Sequence, residues 1–199
     1  MDVQPDSAVR AQERWPELWR DAMKDPWVDV KEAMTMMSWE ESADSEMGGA
    51  VAGSGNLSRP WLRPGRPEDA PALQQLIAEA GMYAEVDPLE CLVADTPHGV
   101  IGFARVEFFE DVPYLRPVVI APPYQGHGVG RRLVEGLLAD YPGLCVVSRG
   151  KAAGFYQRLG FQALPWSAVA AEHQEECDLC PERSQCCPVG LHAGRNEEC

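Results

Sequence analysis

The spacing of apolar positions divides the chain into helical and strand-like stretches. From Ser7 to Lys24, residues Trp15, Leu18, Trp19 and Ala22 fall on one side of a helical period. From Val28 to Trp39 the apolar side carries Val30, Met34 and Met37, and Pro26 separates the two candidate helices. Gly48 to Asn56 has no periodicity and is composed as a flexible linker. A structured domain is expected from Pro60. Trp61 to Pro64 reads as a short strand, and a helix opening at Glu68 or Asp69 continues to about Ala80 with Leu73, Leu76, Ile77 and Ala80 at helical spacing. Strands are expected at Cys91–Ala94, Val100–Phe109, Leu115–Ile120, Leu144–Ser148 and Phe161–Leu164, with a short helix over Ala152–Arg158. That order predicts an α/β class: a mixed sheet with helices on its faces.

Charge sharpens this division. The formal net charge is -14 over 199 residues. Residues 1–60 carry 12 acidic and 6 basic side chains, 61–166 carry 12 and 9, and 167–199 carry 7 and 2. The middle is nearly balanced and the ends are acidic. No basic stripe exists for a nucleic acid backbone, and the overall field repels one. No run approaches the length of a bilayer span, and Met1 is followed by acidic and polar residues rather than a basic and then apolar leader. A cytoplasmic location with no membrane partner is the expectation.

The densest chemical signal is Pro117-Val118-Val119-Ile120-Ala121-Pro122-Pro123-Tyr124-Gln125-Gly126-His127-Gly128-Val129-Gly130-Arg131-Arg132-Leu133. An apolar strand ends at Ile120, a proline pair turns the chain, and three alternating glycines lead into a helix whose expected buried side is Val129, Leu133, Leu137 and Leu138. Glycines permit a tight turn and close approach to a ligand, and the first-turn amides with Arg131 and Arg132 favour an anion such as a diphosphate. The pattern lacks the Lys-Ser or Lys-Thr ending of a nucleotide P-loop and the spacing of the dinucleotide fingerprint.

This segment resembles the GCN5-related N-acetyltransferase (GNAT) family, whose hallmark matches Gln125-Gly126-His127-Gly128-Val129-Gly130. A second family signature is matched by Gly154-Phe155-Tyr156-Gln157-Arg158-Leu159-Gly160-Phe161, and the resemblance covers about residues 60–166. It implies a mostly antiparallel central sheet of the acyl-CoA N-acyltransferase fold. It also implies an acetyl-CoA-dependent enzyme in which the Val118-Val119-Ile120 backbone pairs with the pantetheine amides. In the same reading the loop from Gln125 to Gly130, with His127 inside it, holds the pyrophosphate. Tyr156 becomes the general acid toward the departing thiolate, and a phenol with a pKa near 10 is protonated at neutral pH. Direct attack of the acceptor amine in a ternary complex needs no nucleophilic side chain, and Cys145 reads as core. Glu107, Glu110 and Asp111 cluster at a strand end as base candidates, with a polar loop as the other reading. Arg116 and Arg149 suit a substrate carboxylate clamp or surface ion pairs equally well. Homodimers are common in such a family.

The end of the chain carries Cys177, Cys180, Cys186 and Cys187, with Cys199 last and His173 and His192 flanking. Cys177-Asp178-Leu179-Cys180 has the spacing of a tetrahedral zinc half-site, while the second pair is adjacent, so zinc, a disulfide or redox pair, and unliganded thiols all remain open. Leu164-Pro165 with Cys177-Asp178-Leu179-Cys180-Pro181 and Cys186 is also similar to the ending of short stand-alone bacterial N-acetylglutamate synthases. The chain departs from them in lacking an arginine between Gly81 and Cys91 and in its N-terminal extension. The implied acceptor is a small amino-acid-like amine, with a protein or peptide amine, or a non-catalytic acyl-CoA sensor, as alternatives. Four segments are thus expected: 1–47 helical extension, 48–59 linker, 60–166 acetyltransferase domain and 167–199 cysteine-rich tail.

Overall fold

The computed structural model describes residues 60–109, 111–141 and 143–194. The expected helices near the N-terminus, the linker, Glu110 and Cys199 lie outside those residues.

Seven strands form one sheet: β1 Trp61–Pro64, β2 Cys91–Thr96, β3 Gly99–Phe109, β4 Val112–Ile120, β5 Gly143–Ser148, β6 Gln162–Leu164 and β7 Val189–Gly194. Their spatial order is β1-β2-β3-β4-β5-β7-β6, and only the β4–β5 pair is parallel. The helices are α1 Ala70–Glu79, α2 Val129–Asp140, α3 Gly150–Gln157, α4 Ala171–Leu179 and the single turn α5 Arg183–Cys186.

Each face of the sheet follows from strand alternation. Cys91, Val93, Phe103 and Val119 turn toward α1 and form a core with Leu73, Leu76, Ile77 and Val86. Leu92 and Leu62 turn the other way, where a Cβ at Gly136 of α2 would stand 3.0 Å from a Leu92 methyl and 3.4 Å from a Leu62 methyl. In α2 the buried residues are Val129, Leu133, Val134 and Leu137. Val134 thus takes the place expected of Leu138, which is only half-buried.

The start of α1 is locked by charge. Arg63, 8% exposed, places Nη1 and Nη2 2.7 and 2.8 Å from the two Asp69 oxygens and Nε 2.7 Å from Asp95. Asp69 also accepts from the Arg66 amide at 2.7 Å. Burial alone would raise the Asp69 carboxyl, but the Arg63 hydrogen bonds hold it below its ordinary value.

The expected boundary at residue 166 does not hold for the sheet. β7 comes from the cysteine-rich tail and lies between β5 and β6, paired with Cys145 opposite His192 and with Ala163 opposite Leu191. Leu191 is fully buried, so the tail supplies core as well as edge hydrogen bonds.

Candidate active site

β4 pairs with β3 along its whole length but with β5 only at Tyr114 opposite Cys145. Beyond that point the parallel strands part. The Ala121 amide donates to the Ile101 carbonyl at 2.8 Å. By alternation the Val119 backbone also faces β3, while Val118 and Ile120 present theirs to the side where β5 has diverged. Of the three residues expected to pair with a pantetheine arm, Val118 and Ile120 turn their backbone to that open side and Val119 turns its own to β3.

The chain then makes a helical turn over Pro122–Tyr124 and enters the glycine loop. Gly126 and Gly128 have φ of +78° and +79°, and a Cβ at either would meet nothing within 4 Å. Glycine is required there by backbone conformation, not by crowding. Gln125 donates from Nε2 to the Ile120 carbonyl at 2.9 Å, and His127 Nδ1 lies 2.9 Å from the Gln125 carbonyl. Both side chains thus brace the loop's own backbone. The amide of Arg132 reaches back to the Gly128 carbonyl at 3.1 Å, which leaves the amides of Val129, Gly130 and Arg131 without helical partners. They lie at the positive end of α2, a position that suits an anion.

The two expected cations separate. Arg131 is exposed, and among the described residues its side chain makes no hydrogen bond or ion pair. Arg132 donates from Nη1 to the Pro60 carbonyl at 2.6 Å and so ties α2 to the start of β1.

Gly130 joins the two sequence signatures. A Cβ there would stand 3.4 Å from Phe155 Cζ and 3.7 Å from Ile120 Cγ1. The first turn of α2, the end of β4 and α3 therefore meet at one point. Tyr156, next on α3, is 8% exposed and packs edge-on to Phe155 and Phe161 with centroids 4.9 and 5.5 Å away. Burial pushes its phenol up to about 12. Cys145 is buried and disulfide-bonded, not a free thiol.

A second constellation gathers on β3, β4 and α4. Glu107 Oε2 lies 2.9 Å from Arg105 Nη2 and 3.9 Å from Arg116 Nε. Its oxygen is shared between two guanidiniums, so Glu107 is not the free proton acceptor expected. Asp111 sits exposed in the turn after β3 with φ of +70°. Arg105 also pairs with Glu90 at 3.3 Å, and burial holds the Glu90 carboxyl above its ordinary value. Arg116 Nη1 lies 2.8 Å from Glu176 Oε2 and 3.2 Å from His173 Nδ1. Arg149, the other expected clamp, is an exposed residue at the start of α3, on another element.

His173 is 4% exposed and stacks on Phe109 and Tyr114 with centroids 4.2 and 4.6 Å away. Burial, then the charge of Arg116, keeps its pKa below the ordinary value. Because a guanidinium only donates, Nδ1 is the acceptor, and the proton belongs on Nε2, which is buried without a hydrogen-bond partner. Glu176 is not among the residues expected at the site, although its three-residue spacing from His173 on a helix is a readable signal.

Cys177, Cys180, Cys186 and Cys187 are free, and Cys180 and Cys187 are exposed. Among the described residues no three His, Cys, Asp or Glu side chains are grouped to hold a metal ion, so the expected zinc ligands are not assembled. Cys187 has φ of +48°, and its Sγ donates to the Ser184 carbonyl at 3.2 Å.

Comparison with known proteins follows the same lines. Residues 87–163 match the model of the acetyltransferase (GNAT) domain family. An N-acetylglutamate synthase from Neisseria gonorrhoeae, solved with coenzyme A and N-acetyl-glutamate, is similar at 16% identity and a TM-score of 0.54 over 67% of this chain. This chain spans only about a third, 34%, of that enzyme's length. Rv2747 from Mycobacterium tuberculosis, solved with CoA and a further ligand, is similar at 23% identity and a TM-score of 0.53, over 69% of this chain and 100% of that one. Naa20 from Chaetomium thermophilum, solved with a bisubstrate analogue, is similar at 21% identity and a TM-score of 0.50, over 69% and 88%. Among the described residues no helix is long and apolar enough to cross a membrane.

Proposed function

We propose, from the GNAT acetyltransferase domain carried at residues 87–163, that the chain moves an acetyl group from acetyl-CoA to the amine of a small amino-acid-like acceptor. The observation that carries this reading is the junction at Gly130, where the first turn of α2, the open edge of β4 and the helix of Tyr156 meet.

The amides of Val129, Gly130 and Arg131, with the Arg131 side chain, suit a pyrophosphate. The backbone of Val118 and Ile120 faces the parting between β4 and β5, where an extended amide-bearing arm can add to the strand edge. Acetyl-CoA supplies the activated acyl group when bound. Tyr156 then faces a sulfur that gains negative charge. Burial pushes its phenol up to about 12, so at neutral pH the hydroxyl is protonated and able to donate. Tyr156 therefore acts by donating a hydrogen bond to the departing thiolate, and the proton that ends on sulfur derives from the attacking amine.

The fold is shared with a synthase solved with N-acetyl-glutamate and with Naa20 solved with a bisubstrate analogue, so likeness alone does not choose the acceptor. The choice of an amino-acid-like acceptor rests on Arg116, which is half-exposed and already carries a carboxylate partner at 2.8 Å. The test is acetyl-CoA-dependent thiol release across amino acids, polyamines, aminoglycosides and basic peptides. Turnover selective for amino acids is expected. Turnover with peptides alone would move the activity to a protein acetyltransferase, and cofactor binding without any turnover would make the chain a sensor.

A further inference from the structure

Helix α4 is unusual in how it is held. Its only buried residue is His173, while Glu175, Glu176, Asp178 and Leu179 are exposed. No apolar stripe seats the helix on the sheet. Its N-terminal end is pinned by the Ala170 amide, which donates to Tyr114 Oη at 2.8 Å, and by Gln174 Nε2, which donates to the Val169 carbonyl at 2.7 Å. Past His173, the tie to the sheet is the ion pair from Glu176 Oε2 to Arg116 Nη1 at 2.8 Å.

The other polar neighbours of Arg116 leave little for an incoming anion. Nδ1 of His173 accepts from Nη1 at 3.2 Å, and Glu107 lies 3.9 Å from Nε but closer to Arg105. The Glu176 carboxylate therefore stands where a carboxylate ligand of Arg116 would stand. Its side chain is 53% exposed and that of Arg116 40% exposed, so water screens the pair and its opening is inexpensive.

We infer that Glu176 is an internal competitor for the acceptor's carboxylate: α4 occupies Arg116 in the resting enzyme and must release it before a carboxylate-bearing acceptor binds. This rests on the amino-acid-like reading above. Glu176 then raises the acceptor KM and filters acceptors, since an amine lacking a carboxylate gains nothing from displacing it.

The experiment uses the full chain and measures KM and kcat for the best amino-acid acceptor and for the matching amine without its carboxylate. Four proteins are compared: wild type, Glu176→Gln, Glu175→Gln and Arg116→Ala. Glu176→Gln keeps shape and loses charge, and its exposure makes misfolding a minor concern. A KM about two- to five-fold lower is expected for the carboxylate-bearing acceptor, the range of an exposed ion pair. KM for the matching amine and for acetyl-CoA should not move, and Glu175→Gln, on the same exposed turn, should match wild type. An unchanged or higher acceptor KM in Glu176→Gln, while Arg116→Ala raises it selectively for the carboxylate-bearing acceptor, overturns the competitor role and leaves the carboxylate clamp standing. Equal effects of Arg116→Ala on both acceptors remove the clamp, and the competitor with it.

Discussion

Replacing Tyr156 with Phe isolates the hydroxyl whose role follows from its burial. The ring is 8% exposed and its phenol is pushed from an ordinary value near 10 to about 12. At ~1.36 kcal/mol for each tenfold change, a shift of that size disfavours the phenolate by roughly 3 kcal/mol. Giving the proton up entirely means forming that buried phenolate. A hydrogen bond from the neutral hydroxyl carries no such cost and strengthens as the sulfur charges, at about 1.5–3 kcal/mol for a charged acceptor. Tyr156→Phe should therefore lower kcat by about 10- to 150-fold, leave the KM for acetyl-CoA unchanged, and barely alter thermal stability, since the mutation removes no side-chain packing. Initial rates of thiol release, with calorimetry of CoA binding to both proteins, give these three numbers. A loss of about 10³-fold or more, in the upper range of general acid catalysis, would mean that the proton itself is transferred, and a loss under threefold would remove Tyr156 from the reaction. The same burial sets the pH profile: below about pH 10 the hydroxyl stays protonated, so no alkaline loss of activity in that range should depend on Tyr156.

Other perturbations test the framework around the site. Asp69→Ala leaves the buried Arg63 guanidinium with Asp95 as its remaining carboxylate, and urea unfolding should show a loss of about 3 kcal/mol, toward the lower end for a broken buried pair. His173 has its pKa depressed by burial and by Arg116, so the unfolded chain binds its proton first. The stability it contributes is present above about pH 6.5, the unfolded value, and is lost as pH falls from there toward the folded value. Melting temperatures at pH 8 and 5.5 should differ less for His173→Phe than for wild type. Among the thiols, Cys180 and Cys187 are exposed, whereas Cys91 is fully buried and its thiol is pushed well up by desolvation. A colorimetric disulfide reagent should lose a fast phase in Cys180→Ser and in Cys187→Ser, while Cys91 should react only after unfolding.

What was legible in the sequence was local demand. Leu73, Leu76 and Ile77 repeat at helical spacing, and the structure buries all three. Gly126 and Gly128 stand where the backbone takes a positive φ, a requirement that a turn before a helix already announces. What was not legible was the choice of partner across the chain. Val189 to Gly194 contains two glycines and one histidine and follows a run of cysteines, which directs attention to metal chemistry. Its role is decided instead by β5 and β6, which offer unpaired edges on either side. Gly190 shows the cost of that placement, since a Cβ there would come within 2.7 Å of a Val169 methyl and 3.2 Å of the Leu164 carbonyl. Nothing near Gly190 in the sequence records either contact.

The charged residues follow the same logic. Arg132 looks like a phosphate ligand from its neighbours but is taken by the Pro60 carbonyl, 72 residues away. Arg116 and Glu107 look like substrate and proton ligands, and the fold couples them to Arg105 and to Glu176 of the tail. A guanidinium has no preference between a protein carboxylate and a substrate carboxylate except through what each loses on binding. Glu176 is exposed and seated on a helix with one buried residue, so it gives up little when it leaves Arg116. Asp69 is 5% exposed and makes hydrogen bonds to Arg63 and to the Arg66 amide, so it gives up a great deal. Two arginines with carboxylate partners are therefore opposite devices, one a lock at the start of α1 and the other a site that a competing carboxylate can claim.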